Sequence, residues 1–160
     1  MFGVRTTPFE YVLEEDKERE EKYRTKFFIR QKTIETENEI IGLYRSASTT
    51  SKRGSVSLSF SKTGMTKADI EAFKLIVDRV ENFFVPFDAP VIFGYDPFNH
   101  FKSFTDAVEE EISGVKYLKL STVSGEDLKY VSVCLTTAQR NEIFNVSEDV
   151  SRLSETEKKD

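Results

Sequence analysis

Two adjoining stretches decide the fold: Gly54-Ser-Val-Ser-Leu-Ser-Phe-Ser61, and Thr66-Lys-Ala-Asp-Ile-Glu-Ala-Phe-Lys-Leu-Ile-Val-Asp-Arg-Val-Glu-Asn-Phe-Phe84. In the first, Val56, Leu58 and Phe60 alternate with serine. That period of two predicts a half-buried strand, apolar face in and hydroxyls out. In the second, Thr66 followed by Asp69 has the form of a capping box. Ile70, Phe73, Val77, Val80 and Phe84 then recur at helical spacing, with Ala72, Ile76 and Phe83 widening the stripe. The spacing predicts one long helix from Thr66 to Phe84.

Upstream, Phe2 to Leu13 holds enough apolar matter for an edge strand, and Glu14 to Lys22 is an unbroken run of charge that reads as a solvated turn or linker. Tyr23 to Lys32 predicts a strand with two unlike faces. Tyr23, Thr25, Phe27, Ile29 and Gln31 suit a core, whereas Arg24, Lys26, Phe28, Arg30 and Lys32 set four cations around one ring. After a polar turn near Glu37-Asn38, Ile40 to Arg45 reads as the returning strand. Ser46 to Arg53 reads as a loop tipped by Lys52 and Arg53.

Downstream, Val85 to Phe104 mixes three prolines with six aromatics. Pro90 to Tyr95 predicts a short strand and Asp96-Pro97 a turn. Phe101 to Ile112 predicts a helix ending at Gly114. Val115 to Val123 and Leu128 to Leu135 predict a hairpin, Thr137 to Val146 a helix, and Ser147 to Asp160 a polar, frayed tail. The expected class is α+β, with antiparallel curved sheet or sheets followed by helices. Residues 1–146 form one compact domain of two related halves, about 23–84 and 90–146, followed by the acidic tail 147–160.

Composition bounds the function. The chain has 160 residues, fourteen Phe and six Tyr, enough aromatic bulk for one core. The lone Cys134 rules out an internal disulfide framework, which implies a reducing, intracellular setting, cytoplasmic or nucleoid-associated, or the host cytoplasm for a viral chain. No apolar run approaches the roughly 20 residues of a membrane span. The net charge of −5 conceals an asymmetry. Residues 1–21 carry −4, residues 22–75 carry +6 and residues 76–160 carry −7. A basic segment between acidic flanks admits a polyanion partner in spite of the acidic whole.

An internal echo adds to this. Val56-Ser-Leu-Ser-Phe60 precedes Thr66-Lys-Ala-Asp69 and Phe73, while Val131-Ser-Val-Cys-Leu135 precedes Thr136-Thr-Ala-Gln139 and Ile143. This doubled pattern of strands followed by a helix resembles the Whirly and transcriptional-coactivator-like family of single-stranded DNA-binding proteins, which includes some phage single-strand binders. The resemblance covers roughly residues 23–84 and 115–146. It implies a curved four-stranded sheet and helix, once per chain in dimers or twice in one chain. The lysine-rich motif of the plant members is missing, and the insert at 85–113 departs from the simple pattern.

The expected function is single-stranded nucleic-acid binding without catalysis or cofactor, by a homo-oligomer. Cations would track phosphates and rings would stack on bases. The candidate residues are Arg24, Lys26, Phe28, Arg30 and Lys32, extended by Tyr44, Arg45, Lys52 and Arg53. The bland reading of the same face is an edge strand guarded by charge. The alternative function is a structural or adaptor protein, viral or cellular, with no nucleic-acid contact, and the acidic tail is a further surface for a protein partner. His100 reads as a hydrogen-bonded structural histidine and Cys134 as a small packed residue. One histidine and one cysteine cannot assemble a usual zinc site. A metal-dependent nuclease would have to use Asp106, Asp127 and Lys129.

Overall fold

The computed structural model describes residues 7–49 and 66–159. Among them the chain is α+β, a five-stranded antiparallel sheet with helices. The elements are β1 (Phe9–Tyr11), β2 (Lys26–Ile29), α1 (Ile34–Thr49), α2 (Lys67–Ile76), β3 (Val77–Pro86), α3 (Pro97–Phe101), β4 (Val108–Ile112), β5 (Val115–Ser124), α4 (Leu128–Cys134) and α5 (Thr137–Lys159). The strand order is β1-β2-β3-β5-β4, so one shared sheet takes strands from both halves of the chain. The expected strand Gly54–Ser61 lies outside the described residues.

Helix α2 begins as expected. The Thr66 hydroxyl accepts from the Asp69 backbone N–H (3.2 Å), and Asp69 accepts from the Thr66 N–H (2.9 Å). The helix does not reach Phe84. It stops at Ile76, and Val77 opens the ten-residue central strand β3. The helical look of Val77, Val80 and Phe83 has a physical origin in two irregularities. The register of β2 against β3 shifts between Phe28 and Ile29, and Asn82 takes φ +58°. Each break lets residues three apart point into the core, where a regular strand would place residues two apart.

Other expectations also change. Ile40–Arg45 belongs to helix α1, not to a returning strand. The Thr33 hydroxyl accepts from the Thr36 N–H (3.1 Å) ahead of the first turn, and Ile40, Leu43 and Tyr44 share one half-buried stripe. Phe101–Ile112 is not a helix. Asp96 caps the short α3, whose first residue is Pro97, and Val108–Ile112 is the edge strand β4. Gly114 is not a helix cap, because Ser113 (φ +51°) and Gly114 (φ +82°) make the tight β4–β5 turn. Pro90–Tyr95 reduces to a single bridge, Ile92 to Tyr95, around Phe93 and Gly94.

Leu128–Leu135, expected as a strand, is helix α4 as far as Cys134. Its alternation of Val131, Val133 and Leu135 does not mark a half-exposed strand, since Val131, Ser132 and Val133 are all buried. The second half of the echo therefore has a helix where the first was expected to have a strand. What the two halves share is the helix start. Thr136 and Gln139 cap α5 reciprocally (2.9 and 3.1 Å), as Thr66 and Asp69 cap α2. Helix α5 continues through Lys159, where a frayed tail was expected.

The helices cover one face of the sheet. Phe27 and Ile29 of β2, Val80, Phe83 and Val85 of β3 and Leu118, Leu120 and Val123 of β5 meet Phe73, Phe101, Leu128, Val131 and Ile143 in one core. Two polar networks pin the helices together. Buried Arg140 of α5 donates to the carbonyls of Leu135 (2.6 Å) and Ser132 (3.4 Å), satisfying the end of α4. On α2 and α4, Lys74 and Lys129 share Glu71 and Glu126. Among the described residues the opposite face of the sheet carries no α-helix, and Lys26, Arg79 and Lys119 lie on it.

Candidate nucleic-acid interface

Cross-strand pairing fixes which side chains share this open face. Lys26 lies opposite Glu81, Phe28 opposite Arg79, Phe84 opposite Lys119 and Pro86 opposite Tyr117. Directly opposed residues project to the same side. The open face thus presents two rings among cations: Phe28 toward the β1 edge, and Phe84 toward β5.

The strand Tyr23–Lys32 contracts to Lys26–Ile29, but its two faces divide as expected. Thr25, Phe27 and Ile29 are buried, and Lys26 and Phe28 are half-buried on the open side. The cations there are largely engaged. Lys26 pairs with Glu10 (3.5 Å) and Arg30 with Asp78 (3.3 Å). Half-buried Lys32 leaves this face: its side chain turns to α5, pairing with Glu148, and its backbone N–H donates to the Ser151 hydroxyl (3.3 Å). The Arg79 guanidinium lies over the Phe28 ring at 3.7 Å, itself bound to Glu81 (2.8 Å) and Asp78 (3.0 Å). A base reaching Phe28 would have to displace that guanidinium or stack upon it.

Tyr44 and Arg45 are not on this face. They lie on α1, where the half-buried Tyr44 donates its hydroxyl to Asp69 (2.6 Å), and burial raises the phenol above its ordinary range. Lys52 and Arg53 lie outside the described residues.

Around Phe84 the arrangement is more open. Asn82, in its left-handed conformation, donates its amide to the carbonyls of Lys22 (2.9 Å) and Arg24 (3.0 Å), and its own carbonyl accepts from the Thr25 hydroxyl (2.9 Å). Asparagine tolerates such a φ better than most residues, and here the turn clamps the segment before β2 across the sheet. The clamp gathers Lys22, Arg24 and Lys26 with Lys119 and Ser121 of β5 around one groove, which Glu21 and Glu81 also line. Arg24 spends its donors on backbone carbonyls, those of Arg19 and Lys17 (both 2.8 Å). Among the described residues Lys119 makes no ion pair. Beside the groove, Tyr23, Phe84 and Tyr117 form an aromatic row, with centroids 6.4 and 6.2 Å apart. Lys22 lies 4.9 Å over the Tyr23 ring.

Reading the sequence strand by strand missed Lys119, Phe84 and Tyr117. The signal was present for two of them. Tyr117 and Lys119 alternate with Leu118 and Leu120 in a segment correctly read as a strand. Phe84 was hidden by its assignment to a helix.

The nuclease candidates are not brought to one point. Asp106 accepts from the Ser121 hydroxyl (2.6 Å), which chiefly holds its carboxyl below the usual range. Asp127 is hydrogen-bonded to His100 (2.8 Å), whose ring stacks on Tyr130 at 3.7 Å. Lys129 is taken by Glu126 (2.7 Å) and Glu71 (3.1 Å). Among the described residues no group of three or more His, Cys, Asp or Glu side chains is placed to hold a metal. Burial pushes the Cys134 thiol up to about 12, away from nucleophilic use. Among the described residues no helix is long and apolar enough to cross a membrane. No protein-family model, curated protein or solved structure matches the chain.

Proposed function

We propose that this chain binds single-stranded nucleic acid on the open face of its sheet, without catalysis. One observation carries the reading: Lys22, Arg24, Lys26 and Lys119 meet in a groove whose border is the aromatic row Tyr23, Phe84 and Tyr117. Cations along a groove follow a phosphate backbone, and rings beside it offer stacking platforms that tolerate any base. The centre of the surface is thereby Phe84, not Phe28. The Whirly-like resemblance belongs to this proposal and points to the same ligand class.

A second reading, an assembly adaptor, is favoured by a different observation. Glu10 and Asp78 already pair with Lys26 and Arg30, so the β2 end of the face presents mixed charge suited to a protein surface. Titrating a labelled single-stranded oligonucleotide at low and moderate salt separates the two. Binding that weakens steeply with salt supports the first reading, since cations on phosphates release counterions. No binding at low salt leaves the adaptor. Solution molar mass with and without oligonucleotide tests the proposed homo-oligomer in the same samples.

A further inference from the structure

We propose that a cavity beside the groove receives one nucleobase bearing an exocyclic amino group, while the groove holds the phosphates flanking it; this rests on the single-strand reading above. The cavity encloses about 210 Å³ between the segment before β2, the ends of β3 and β5, and the α4–α5 junction. A void of about 150 Å³ already admits a benzene ring, so a base fits.

The cavity and the groove share the thickness of one strand. Along residues 22–27 the side chains alternate between them: Lys22, Arg24 and Lys26 line the groove, and Tyr23, Thr25 and Phe27 line the cavity. Phe84 of the cavity is the cross-strand partner of Lys119 of the groove. Phe84 and Lys119 project to the same side of the sheet, so the cavity and the groove adjoin at this pair, and there a strand following the groove can turn one base into the cavity.

The lining selects a flat ring with polar edges. Tyr23, Phe84 and Tyr117 supply aromatic walls. Asp16 supplies an acceptor, and Arg19 lies 3.2 Å from it. Burial holds the Asp16 carboxyl above its usual range, as expected for a carboxylate short of water. An amino group on the base edge would give that carboxylate a second donor beside Arg19. Adenine, cytosine and guanine have one; thymine and uracil do not.

The test uses the whole chain and three oligomers of equal length: adenine, thymine, and an abasic sugar-phosphate strand. Titrations are run on the wild type, on Cys134→Leu, which enlarges a cavity-lining side chain, and on Asp16→Asn, with melting measured for each. The expected order is adenine, then thymine, then abasic, with adenine about tenfold tighter than abasic, in the range that stacking supplies. Cys134→Leu should bring the adenine oligomer down to the abasic level, and Asp16→Asn should erase the preference for adenine over thymine. If Cys134→Leu fails to fold, the Asp16→Asn comparison decides alone. Equal, salt-sensitive binding of all three oligomers overturns the cavity and leaves the groove standing. An adenine preference that survives in a folded Cys134→Leu also overturns it, since the bases then stack on the open face. No binding by any oligomer removes the single-strand reading and the cavity together.

Discussion

Phe28 and Phe84 lie on the same face of the same sheet, each among cations, and they differ in what those cations already hold. Around Phe28, Lys26, Arg30 and Arg79 are matched to Glu10, Asp78 and Glu81, and Arg79 covers the ring. Around Phe84, Lys22 pairs with Glu20 (3.4 Å) and Lys26 is shared with the Phe28 side, but Arg24 is turned to backbone carbonyls and Lys119 lacks an ion pair among the described residues. A cation spent on a neighbouring carboxylate has little left for a phosphate, and a covered ring has no free face for a base. Local density of positive charge is therefore a poor guide to a binding surface until its carboxylate partners are subtracted.

The largest test of this contrast is a pair of truncations. Phe84→Ala should lose about 1–3 kcal/mol of oligonucleotide affinity, the worth of one stacked base. Phe28→Ala should leave affinity within about twofold, because its ring is already occupied. Anisotropy titrations measure both, with melting curves to show that the sheet survives. The reverse pattern, Phe28 costly and Phe84 silent, would return the site to β2.

Next in size is Lys119→Glu. Reversing this charge should weaken binding on the order of tenfold at low salt and make the dependence of log affinity on log salt shallower by about one unit. An unchanged slope would remove Lys119 from the phosphate path. A smaller effect of opposite sign is expected from Asp78→Asn, which releases Arg30 and one contact of Arg79. Exposed pairs of this kind are worth roughly 0.2–1 kcal/mol, so affinity should rise by about two- to threefold. No rise would mean that the β2 end lies outside the bound strand.

The sequence was legible where one signal acted alone. The Thr66–Asp69 cap marks the start of α2, the alternation of Val115–Val123 marks β5, and the inward face Thr25, Phe27 and Ile29 is the buried face of β2. It misled where two periods overlapped. Val77, Val80 and Phe83 carry helical spacing because a register shift and the left-handed Asn82 twice reset the parity of β3. Val131 and Val133 of α4 and Leu135 just beyond it alternate in a segment buried too fully for one face to show. The same breaks hid the candidate groove. Asn82 gathers Lys22, Arg24 and Lys119 from segments far apart in the chain, and no spacing within one segment records that meeting.

The smallest expected effect guards the comparison against a confounder, a loss of fold read as a loss of the groove. On the helical face, Glu126 accepts from Lys129 and Lys74 (both 2.7 Å), which lower its carboxyl from 4.5 to about 2. A carboxyl with a depressed folded-state pKa adds stability that is present above its unfolded value and lost as pH falls through the folded one. The contribution is therefore intact at neutral pH and disappears between about 4.5 and about 2. Glu126→Gln should lower the melting temperature slightly at neutral pH, and its curve should meet that of the wild type near the acid end. Superimposable curves throughout would show that the pairs with Lys74 and Lys129 add nothing to the fold. Because the groove lies across the sheet from these helices, Glu126→Gln should bind oligonucleotide as the wild type does at neutral pH. A loss of affinity there would mean that the two faces are coupled, and that the charge contrast between Phe28 and Phe84 is not the whole account of the site.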